Sequence, residues 1–596
     1  MNTNIIKTNE ALLKNPDGWL HFSKPHQIIT TNDRDNVISA LRQIEKLIKS
    51  NRWHAAGFLS YEAAPTFDKP HQTHYQDDFP LLWFGLYSAP RLISLLEPFD
   101  QTQGRPASPK ETLSWRPTTD RDTYNTAIGQ IKEHIAEGRT YQVNYTMRLQ
   151  AEFKINPWSF FLHLTQIQNN HAAYIDTGRY IIASASPELF FQLDRDIITC
   201  RPMKGTITRE RTTFEDGKQA QALKDSEKNR AENIMIVDMI RNDLGRIAKI
   251  GSVRVPELFT IEKYPTLWQM TSTVQAETNA SLTEIFAALF PCASITGAPK
   301  VSTMRIISEL ETTPRRIYTG TIGHIAPHRK ATFNVAIRTA LIDTEKQIAE
   351  YGVGGGIVWD STSGDEYTEA LLKARVLTEN VPQFSLLETL LWTPENGFFL
   401  CDKHISRLLD SAKYFDFPVS REQIEEYVQR ISANYKIPQR VRLLLNRNGE
   451  LASEAKPFHF LAEQPPMKIH LAKEPVNSEN VFLFHKTTHR EVYESARKDF
   501  PDYNEVLLYN EHNELTEFTI GNLAVEMDNK LYTPPISCGL LAGTFRAFLL
   551  ETGQVQERTI RMDELKDCTK IFLVNSVRKW QRVQVLLNSF NALKVH

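Results

Sequence analysis

Apolar residues recur along this chain in two patterns, one typical of strands and one typical of helices. Spacing at i, i+3 and i+4 predicts helices over 37–48, 124–137, 230–246 and 365–373. Short apolar runs predict strands at 81–84, 92–96, 140–145, 184–191, 197–200 and 482–490. Because strands alternate with only a few long helices, the first part of the chain is predicted to be an α+β domain with large antiparallel sheets.

The helix over 230–246 is predicted to bury one stripe and to present its acidic residues elsewhere. The predicted buried stripe consists of Ile234, Val237, Ile240 and Leu244. In the helix over 365–373, Glu366, Glu369 and Lys373 share one face. Two helices are therefore expected to offer carboxylates outside the core.

Length and composition indicate several globular domains. The chain has 596 residues, too many for a single core. Residues 101–117 read as a loop rich in polar residues and proline, and 378–384 read as a short linker that contains Pro382. The predicted division is therefore 1–377, a linker over 378–384, and 385–596.

Charge and cysteine usage are typical of a cytoplasmic protein. The 69 basic and 71 acidic residues nearly balance, so no nucleic-acid partner is implied, and the absence of an apolar run of about 18 residues argues against a membrane partner. The five cysteines are far apart and form no Cys-x-x-Cys pair, which favours a reducing compartment. They are Cys200, Cys292, Cys401, Cys538 and Cys568.

A candidate nucleophile follows the predicted strand at 197–200. Pro202 ends that strand by removing a hydrogen-bond donor, so Lys204 is expected at a strand exit. Gly205 lets the backbone approach a ligand closely. A lysine held there can attack carbon if it is partly desolvated, although a lone lysine near a turn is usually a surface residue.

Carboxylates on the two acidic helices suit a hard cation. Glu232 and Glu369 are predicted to hold Mg²⁺ together with a carboxylate of the substrate, because magnesium takes few protein carboxylates plus an anionic ligand. Arg338 and Lys373 supply cations for the rest of such a substrate.

Residues 120–377 resemble the chorismate-utilising enzymes. Eight motifs occur in the family's order: RPMKGT, SPELFF, AENIMIVDMIRNDLGR, PCASITGAPK, YTGTIG, FNVAIRTAL, YGVGGGIVWDS and the Glu369 to Lys373 pair. The resemblance implies an antiparallel sheet sandwich with helices that binds chorismate and Mg²⁺. It implies substrate contacts by residues of these motifs: Thr296, Gly297, Tyr318, Arg338, Gly354, Gly355, Gly356 and Lys373.

Within that family, Lys204 implies the branch that makes 4-amino-4-deoxychorismate, with the lysine as nucleophile and Glu188 as the acid that protonates the leaving hydroxyl. Anthranilate synthases carry alanine at the matching place. Isochorismate and salicylate synthases have a water-activating lysine where this chain has Gln142, and relatives often have histidine where this chain has Gln269. No cysteine lies in a glycine-rich nucleophile elbow, so a separate glutamine amidotransferase subunit is expected to supply ammonia.

The second half carries its own chemistry-bearing residues. Lys486 is predicted at a strand end, and a glycine-led helix start at Gly543 and Thr544 suits a phosphate group. These residues, with Arg407 and Glu517, resemble the fold-type-IV pyridoxal-phosphate enzymes, a pair of α/β domains related to branched-chain aminotransferases.

That resemblance implies roles for individual residues. Lys486 would bind pyridoxal phosphate covalently, Glu517 would contact its pyridinium nitrogen, and Arg407 with the amides of Gly543 and Thr544 would hold its phosphate. Asn575 and Ser576 are placed in the same pocket, and Thr389 is expected to help protonate the leaving group. A homodimer through this domain is compatible with the resemblance.

Joined in one chain, the two halves predict consecutive steps in the synthesis of 4-aminobenzoate for folate. The first half would aminate chorismate, and the second would eliminate pyruvate from the product. Two alternatives stay open. One is an anthranilate synthase fused to an aminotransferase, and the other is a synthase with a non-catalytic C-terminal module.

Overall fold

The computed structural model describes residues 6–74, 78–93, 113–167, 170–378, 382–460 and 465–585. Most of the predicted loop over 101–117, half of the run 92–96 and linker residues 379–381 lie outside these ranges. The chain forms two compact units. The first unit comprises Met1–Thr208 and Ala220–Val381, and the second comprises Arg209–Gln219 and Pro382–His596.

Two large sheets form the first unit, in agreement with the predicted antiparallel sandwich. Their strands are β1 Glu10–Asn15, β2 Gly18–Phe22, β3 Gln27–Thr31, β4 His54–Leu59, β5 Leu82–Tyr87, β6 Arg91–Ile93, β7 Arg116–Pro117, β8 Gln142–Glu152, β9 His171–Asp176, β10 Tyr180–Ser186, β11 Leu189–Asp194, β12 Ile197–Arg201, β13 Met203–Thr208, β14 Arg254–Lys263, β15 Leu267–Glu277, β16 Gly297–Ala298, β17 Thr321–Ala326, β18 Lys330–Val335, β19 Thr339–Asp343 and β20 Ile348–Ile357. One sheet runs β16-β8-β20-β19-β10-β9-β1-β2-β6, with β7 beside β8. The other runs β13-β15-β12-β11-β18-β17-β4-β5-β3, with β14 beside β15.

Helices cover the outer faces of both sheets. They are α1 Arg34–Asn51, α2 Ala64–Phe67, α3 Arg121–Ala136, α4 Pro157–Ile167, α5 Thr213–Asp225, α6 Glu227–Gly245, α7 Leu282–Leu289, α8 Lys300–Leu310 and α9 Ser363–Lys373. α5 begins in the second unit and ends in the first. Buried residues of β1, β2, β9 and β10 meet those of β4, β5 and β17 between the sheets, and α1, α6 and α7 enclose a separate core on one outer face.

The predicted buried stripe of α6 is wrong at one position. Ile234 is 43% exposed, whereas Val237, Ile240 and Leu244 are buried as expected. Asn233 is buried instead, because it lies at the i−4 position from Val237 and its amide has polar partners inside; Ile236 is buried as well. A purely apolar criterion selects the neighbouring isoleucine instead.

The second unit contains a small sheet and a closed barrel. Its strands are β21 Leu386–Thr393, β22 Gly397–Phe398, β23 Gln439–Leu445, β24 Leu451–Pro457, β25 Met467–Leu471, β26 Glu505–Tyr509, β27 Leu515–Phe518, β28 Gly521–Met527, β29 Lys530–Thr533, β30 Gln556–Glu557, β31 Lys570–Asn575 and β32 Lys579–Val585. Its helices are α10 Cys401–Phe415, α11 Arg421–Ser432, α12 Glu491–Lys498 and α13 Thr544–Glu551. The small sheet runs β22-β21-β23-β24. Strands β27-β26-β25-β32-β31-β28 form a ring, because β27 also pairs with β28, and closure removes exposed edges.

The predicted strand over 482–490 is wrong. Val481–Leu483 is a 3₁₀ turn, and the chain after it is irregular. Phe482 contacts Phe384 and Phe415. Its ring therefore packs in an aromatic cluster and does not form part of one face of a strand. The peptide nitrogen of Leu387 donates to the carbonyl of Lys486 at 2.9 Å, which ties this irregular segment to β21.

The predicted division differs from the structure at residues 209–219. The sequence-based boundaries placed all of 1–377 in one unit, whereas Arg209–Gln219 belongs with the second unit. Separately, no helix among the described residues is long and apolar enough to cross a membrane.

Candidate active sites

Lys204 lies in β13, immediately after Pro202 has interrupted the pairing of β12. Gly205 has a φ of +98°, and pairing with β15 shifts register across it. Asn233 donates its side-chain amide to the Lys204 carbonyl at 3.1 Å, so α6 fixes the main chain here. The Lys204 Nζ lies 3.7 Å from Oε2 of Glu232.

Glu188 occupies the short connection between β10 and β11. It is buried, and Ser294 donates its hydroxyl to Oε1 at 2.7 Å. Burial raises the pKa of Glu188 to about 7, against the opposing effects of the Ser294 hydrogen bond and the charge of Lys204. A carboxyl with this pKa holds a proton near neutral pH and is close enough to Lys204 for their charges to interact.

Three consecutive glycines of β20, Gly354 to Gly356, admit close neighbours on both faces of the strand. A Cβ on Gly356 would lie 2.5 Å from Nε2 of Gln142 and 3.1 Å from Nζ of Lys204. A Cβ on Gly355 would lie 3.0 Å from Oε2 of Glu366, and one on Gly354 would meet a main-chain carbonyl at 2.2 Å. A side chain at Gly356 would fill the space beside Lys204.

Gln142 is a residue whose role the sequence analysis missed. Its side chain is fully buried, yet neither its amide nitrogen nor its amide oxygen has a hydrogen-bond partner in the described structure. Buried amides are normally paired, so this one points to a polar ligand beside Lys204. The only sequence signal was the glutamine itself, at a position where related enzymes have lysine.

The two predicted metal ligands lie around Lys204. Glu369 is bound to Lys373 at 2.8 Å. Burial raises the pKa of Glu369, but the charges of Lys373, Lys204 and Lys228 outweigh it and lower that pKa. Lys204 therefore interacts with Glu369 as well as with Glu232. Two carboxylates suit Mg²⁺ completed by water and a substrate anion; the described residues contain no group of three or more metal-binding side chains.

The remaining predicted substrate contacts are buried to different degrees. Lys373 donates to the carbonyl of Gly354 at 2.9 Å. Burial lowers the pKa of Arg338 and raises that of Tyr318 to about 12. The hydroxyl of Thr296 is fully buried and donates to a main-chain carbonyl at 2.7 Å, and Gly297, with a φ of +132°, packs against strand β8. Substrate contact by these residues stays a prediction.

A cavity of about 470 Å³ lies in the second unit. All eight residues predicted to act there line it: Thr389, Arg407, Lys486, Glu517, Gly543, Thr544, Asn575 and Ser576. The Ser576 hydroxyl donates to the Thr389 carbonyl at 3.3 Å, which joins β21 to the chain after β31. Residues far apart in sequence thus surround one space.

An amine and a carboxylate define the reactive part of this cavity. Burial, with a contribution from Arg407, lowers the pKa of Lys486 to about 8. Burial raises the pKa of Glu517 to about 7, although its Oε1 accepts hydrogen bonds from the Tyr493 hydroxyl at 2.8 Å and the Leu541 amide at 3.2 Å. Lys486 is therefore available in its neutral, nucleophilic form near pH 8.

Arg407 and Thr544, which are predicted to hold a phosphate, belong to a network that the sequence did not reveal. Glu388 accepts two hydrogen bonds from the Arg407 guanidinium, at 2.8 and 2.6 Å, and one from His404 at 2.6 Å. The other ring nitrogen of His404 lies 3.2 Å from the Thr544 hydroxyl. Gly543 precedes α13, and a Cβ there would lie 1.9 Å from the Asn522 amide oxygen. The glycine is therefore required at this helix start.

Further arginines line the same cavity. They are Arg440, Arg442, Arg490 and Arg578, against the single carboxylate of Glu494 beyond Glu517. Arg440 and Arg442 alternate along β23 and so share one face of the small sheet. Sequence analysis did not select them, because arginines in a strand are usually solvent-facing.

The donor set fits pyridoxal phosphate. A near-neutral lysine, a carboxylate for a pyridinium nitrogen, and an arginine beside a glycine-led helix start lie around one cavity of suitable size. Arg407, Gly543 and Thr544 would hold the phosphate.

Comparison with known proteins identifies a different family in each half of the chain. The family model for chorismate binding enzymes matches residues 8–379, and that for class IV amino-transferases matches residues 385–586. Aminodeoxychorismate synthase component 1 of Escherichia coli (strain K12) is 40% identical over 280 residues, which are 46% of this chain and 61% of that protein. The Klebsiella aerogenes protein of the same name is 36% identical over 342 residues, 54% of this chain and 75% of that one.

A solved structure shows the same fold in the first unit. The crystal structure of anthranilate synthase component I from Streptococcus pneumoniae TIGR4 has a TM-score of 0.50 and 25% identity, and the match covers 63% of this chain and 91% of that chain. That protein is named as an anthranilate synthase, whereas the sequence relatives are named as aminodeoxychorismate synthases, so the fold does not identify the product. The chain belongs to the family of chorismate binding enzymes and carries, in the same polypeptide, a class IV aminotransferase domain of the pyridoxal-phosphate type.

Proposed function

We propose that this chain makes 4-aminobenzoate in two consecutive reactions. The first unit would convert chorismate and ammonia into 4-amino-4-deoxychorismate and water. The second would split that product into 4-aminobenzoate and pyruvate. The observation that carries the proposal is the presence of two reactive lysines, Lys204 beside Glu188 and Glu232, and Lys486 in the cofactor-sized cavity.

In the first reaction, Glu188 would give its proton to the C4 hydroxyl as that group leaves. Lys204 would form a bond to C2 of the ring as the C4–oxygen bond breaks. Ammonia would then bond to C4 while the bond between Lys204 and C2 breaks, and Glu188 would regain a proton. The pKa of about 7 suits Glu188 to both proton transfers.

Other residues of the first unit would position the reactants. The unpaired amide of Gln142 adjoins Lys204 and can accept a hydrogen bond from ammonia. Glu232 and Glu369 would hold Mg²⁺, which, when bound, supplies charge neutralisation for a substrate carboxylate. Lys373, fixed between Glu369 and the Gly354 carbonyl, adds a cation at the same place.

In the second reaction, Lys486 would move the proton from C4 of the substrate. Pyridoxal phosphate, when bound, supplies an electron sink for this step. Glu517 would hold the cofactor's ring nitrogen, and Arg407, itself oriented by Glu388, would hold the phosphate. Thr389 lines the cavity and is proposed to help protonate the leaving enolpyruvate.

The charge of the cavity supports a dicarboxylate substrate. Aminodeoxychorismate carries a ring carboxylate and an enolpyruvyl carboxylate. Arg440 and Arg442 project from one strand face, and Arg490 and Arg578 lie elsewhere around the cavity. An arginine fork pairs well with a carboxylate. An apolar amino acid, the substrate of many aminotransferases, would leave most of this charge unpaired.

We further propose a glutamine amidotransferase as partner. The five cysteines are buried or half-buried, and burial raises the pKa of each thiol, which makes a glutaminase nucleophile among them unfavourable. Ammonia would therefore come from another polypeptide. A homodimer and a cytoplasmic location remain predictions from sequence.

One assay tests the proposal. The protein, loaded with pyridoxal phosphate, is given chorismate, ammonium and Mg²⁺, and products are separated and identified by mass and fluorescence. We expect 4-aminobenzoate and pyruvate in equal amounts. Anthranilate would instead establish the alternative synthase, and accumulation of aminodeoxychorismate alone would show that the second unit is not a lyase.

A further inference from the structure

One segment of the second unit comes from the middle of the first half of the chain. Residues Arg209–Gln219, here called the strap, follow β13 directly and belong to the second unit. The sequence motifs that identify either family do not include them. Their contacts within the second unit lead to the residues beside Lys486.

A buried ion pair shapes the strap. Arg209 donates to both carboxylate oxygens of Asp216, at distances from 2.7 to 3.2 Å, and the two side chains are only 4% and 5% exposed. The same guanidinium donates to the Tyr414 carbonyl at 3.0 Å and lies 3.9 Å from the centre of the Tyr414 ring. Desolvating two charges is costly, and this geometry compensates for it through several contacts to α10.

Two main-chain carbonyls of the strap accept hydrogen bonds from side chains of the second unit. The Tyr414 hydroxyl donates to the Glu210 carbonyl at 2.7 Å, and Nε2 of His485 donates to the Arg211 carbonyl at 3.1 Å. Burial lowers the pKa of His485 to about 4, so the ring is neutral. With its proton on Nε2, the ring accepts at Nδ1 from the Ser411 hydroxyl at 2.9 Å.

The strap therefore holds the residues immediately before Lys486. The His485 ring packs against Tyr414 with ring centres 4.4 Å apart and planes tilted by 34°, and the guanidinium of Arg211 lies 5.2 Å from the ring centre of Phe484. On the other side, the Leu387 amide holds the Lys486 carbonyl at 2.9 Å. The main chain at Lys486 is thus fixed between β21 and the strap, although it belongs to no regular element.

We propose that the strap is a positioning element for Lys486: by holding His485, it sets where the Lys486 amine lies in the cavity. This inference rests on the proposed role of Lys486 in binding pyridoxal phosphate. The amine's neighbours include Arg407, Glu388, Arg490 and Glu517, so a small displacement changes its balance of charges.

A double variant, Arg209→Met with Asp216→Leu, tests the inference by replacing the buried pair with apolar side chains of similar size. The matched control is Arg421→Met with Asp402→Leu, which removes a more exposed Arg–Asp pair of the same unit whose side chains are 37% and 83% exposed. Full-length proteins loaded with pyridoxal phosphate are compared by three measurements. These are the pH midpoint of the cofactor's absorbance change, kcat and KM with supplied aminodeoxychorismate, and the melting temperature.

We expect the strap variant to shift the absorbance midpoint by about half a pH unit or more, because charges around the amine change their distances. We expect kcat to fall about 10- to 100-fold with KM nearly unchanged, as for a misplaced reacting group. The control variant should have the same absorbance midpoint and the same kcat as the unmodified protein. A strap variant that melts earlier but keeps the midpoint and kcat would show that the strap only stabilises the unit, and would overturn the proposal.

A second variant, with a smaller change, tests the inference in case the double variant does not fold. Tyr414→Phe removes only the hydroxyl that binds the Glu210 carbonyl and leaves the ring in contact with His485. It should shift the midpoint in the same direction by a smaller amount, and no shift would count against the strap. If the unmodified protein shows the absorbance midpoint but no 4-aminobenzoate from aminodeoxychorismate, the proposed lyase function fails while the positioning test still stands.

Discussion

The amine of Lys204 lies 3.7 Å from a carboxylate oxygen of Glu232, so the proposed nucleophile and one proposed metal ligand share a corner of the first site. A metal ion held by Glu232 would compete with the Lys204 side chain for this carboxylate. Metal binding would therefore change the electrostatic surroundings of the proposed nucleophile, which couples the cation to Lys204 as well as to the substrate.

The metal proposal predicts the effect of Glu369→Gln. The variant loses one anionic ligand while Lys373 can still bind the amide oxygen. We expect the Mg²⁺ concentration for half-maximal chorismate turnover to rise roughly tenfold or more. Glu309→Gln, on the exposed face of α8, is the control. An unchanged Mg²⁺ requirement in Glu369→Gln would remove this residue from the site.

Lys204 should carry substrate transiently. Incubation with chorismate and Mg²⁺ without ammonia should give a covalent adduct, which intact mass and peptide mapping can place on Lys204. Lys204→Met should form none and should consume no chorismate, while Lys373→Met should still be labelled. Full activity of Lys204→Met, or a label on another lysine, would refute the nucleophile assignment.

The raised pKa of Glu188 predicts the pH dependence of the first reaction. The acid acts in its protonated form, so kcat/KM for chorismate should fall as pH rises through about 7, measured at a fixed concentration of unprotonated ammonia. The Ser294 hydrogen bond lowers this pKa, so Ser294→Ala should move the descending limb to higher pH. If the descending limb of the pH profile stays in place in Ser294→Ala, or is still present in Glu188→Gln, a group other than Glu188 causes it.

The two units should be separable by single substitutions. Lys486→Ala should stop 4-aminobenzoate formation yet leave chorismate consumption running, so aminodeoxychorismate accumulates. Lys204→Met should still convert supplied aminodeoxychorismate. A mixture of the two variants should restore production with a lag while the intermediate builds up in solution. Release of 4-aminobenzoate by Lys486→Ala at the normal rate would disprove the lyase assignment.

The arginines of β23 should decide substrate affinity without affecting the cofactor. Removing one charge-assisted contact by Arg440→Met or Arg442→Met should raise KM for aminodeoxychorismate roughly 10- to 100-fold. Affinity for pyridoxal phosphate should stay the same, because Arg407 and the start of α13 are untouched. Arg447→Met, at an exposed residue beyond the strand, should change neither quantity. Equal KM values in all three variants would exclude β23 from substrate binding.

Much of the fold and of the candidate sites was predictable from sequence, because the local spacing of residues agrees with the positions that those residues take in the folded protein. The helices around Ile44 and Ile128 bury the stripes that their spacing indicates, and the helix around Val237 does so at each predicted position except Ile234. The eight residues expected in the second unit line one cavity. At Gly543 the sequence signal has a clear physical basis, since Asn522 leaves no room for a Cβ.

Other features depend on contacts that no local pattern encodes. Lys486 lies on an irregular segment because Phe482 and His485 pack into aromatic neighbours, although the run resembles a strand. From sequence alone, Glu388 looks like an ordinary strand residue; only the structure shows that Arg407 and His404 both bind it. Gln142 differs from other buried glutamines only through the partners that it lacks.

The discontinuous make-up of the second unit has a consequence for synthesis of the chain. The strap leaves the ribosome roughly ten to thirty seconds before the next residue of its own unit at usual elongation rates. During that interval Arg209 and Asp216 are without Tyr414, and the unit cannot close around them. A gene divided near codon 382 would separate the strap from the rest of its unit. Neither unit can therefore be replaced by exchanging one continuous stretch of the gene.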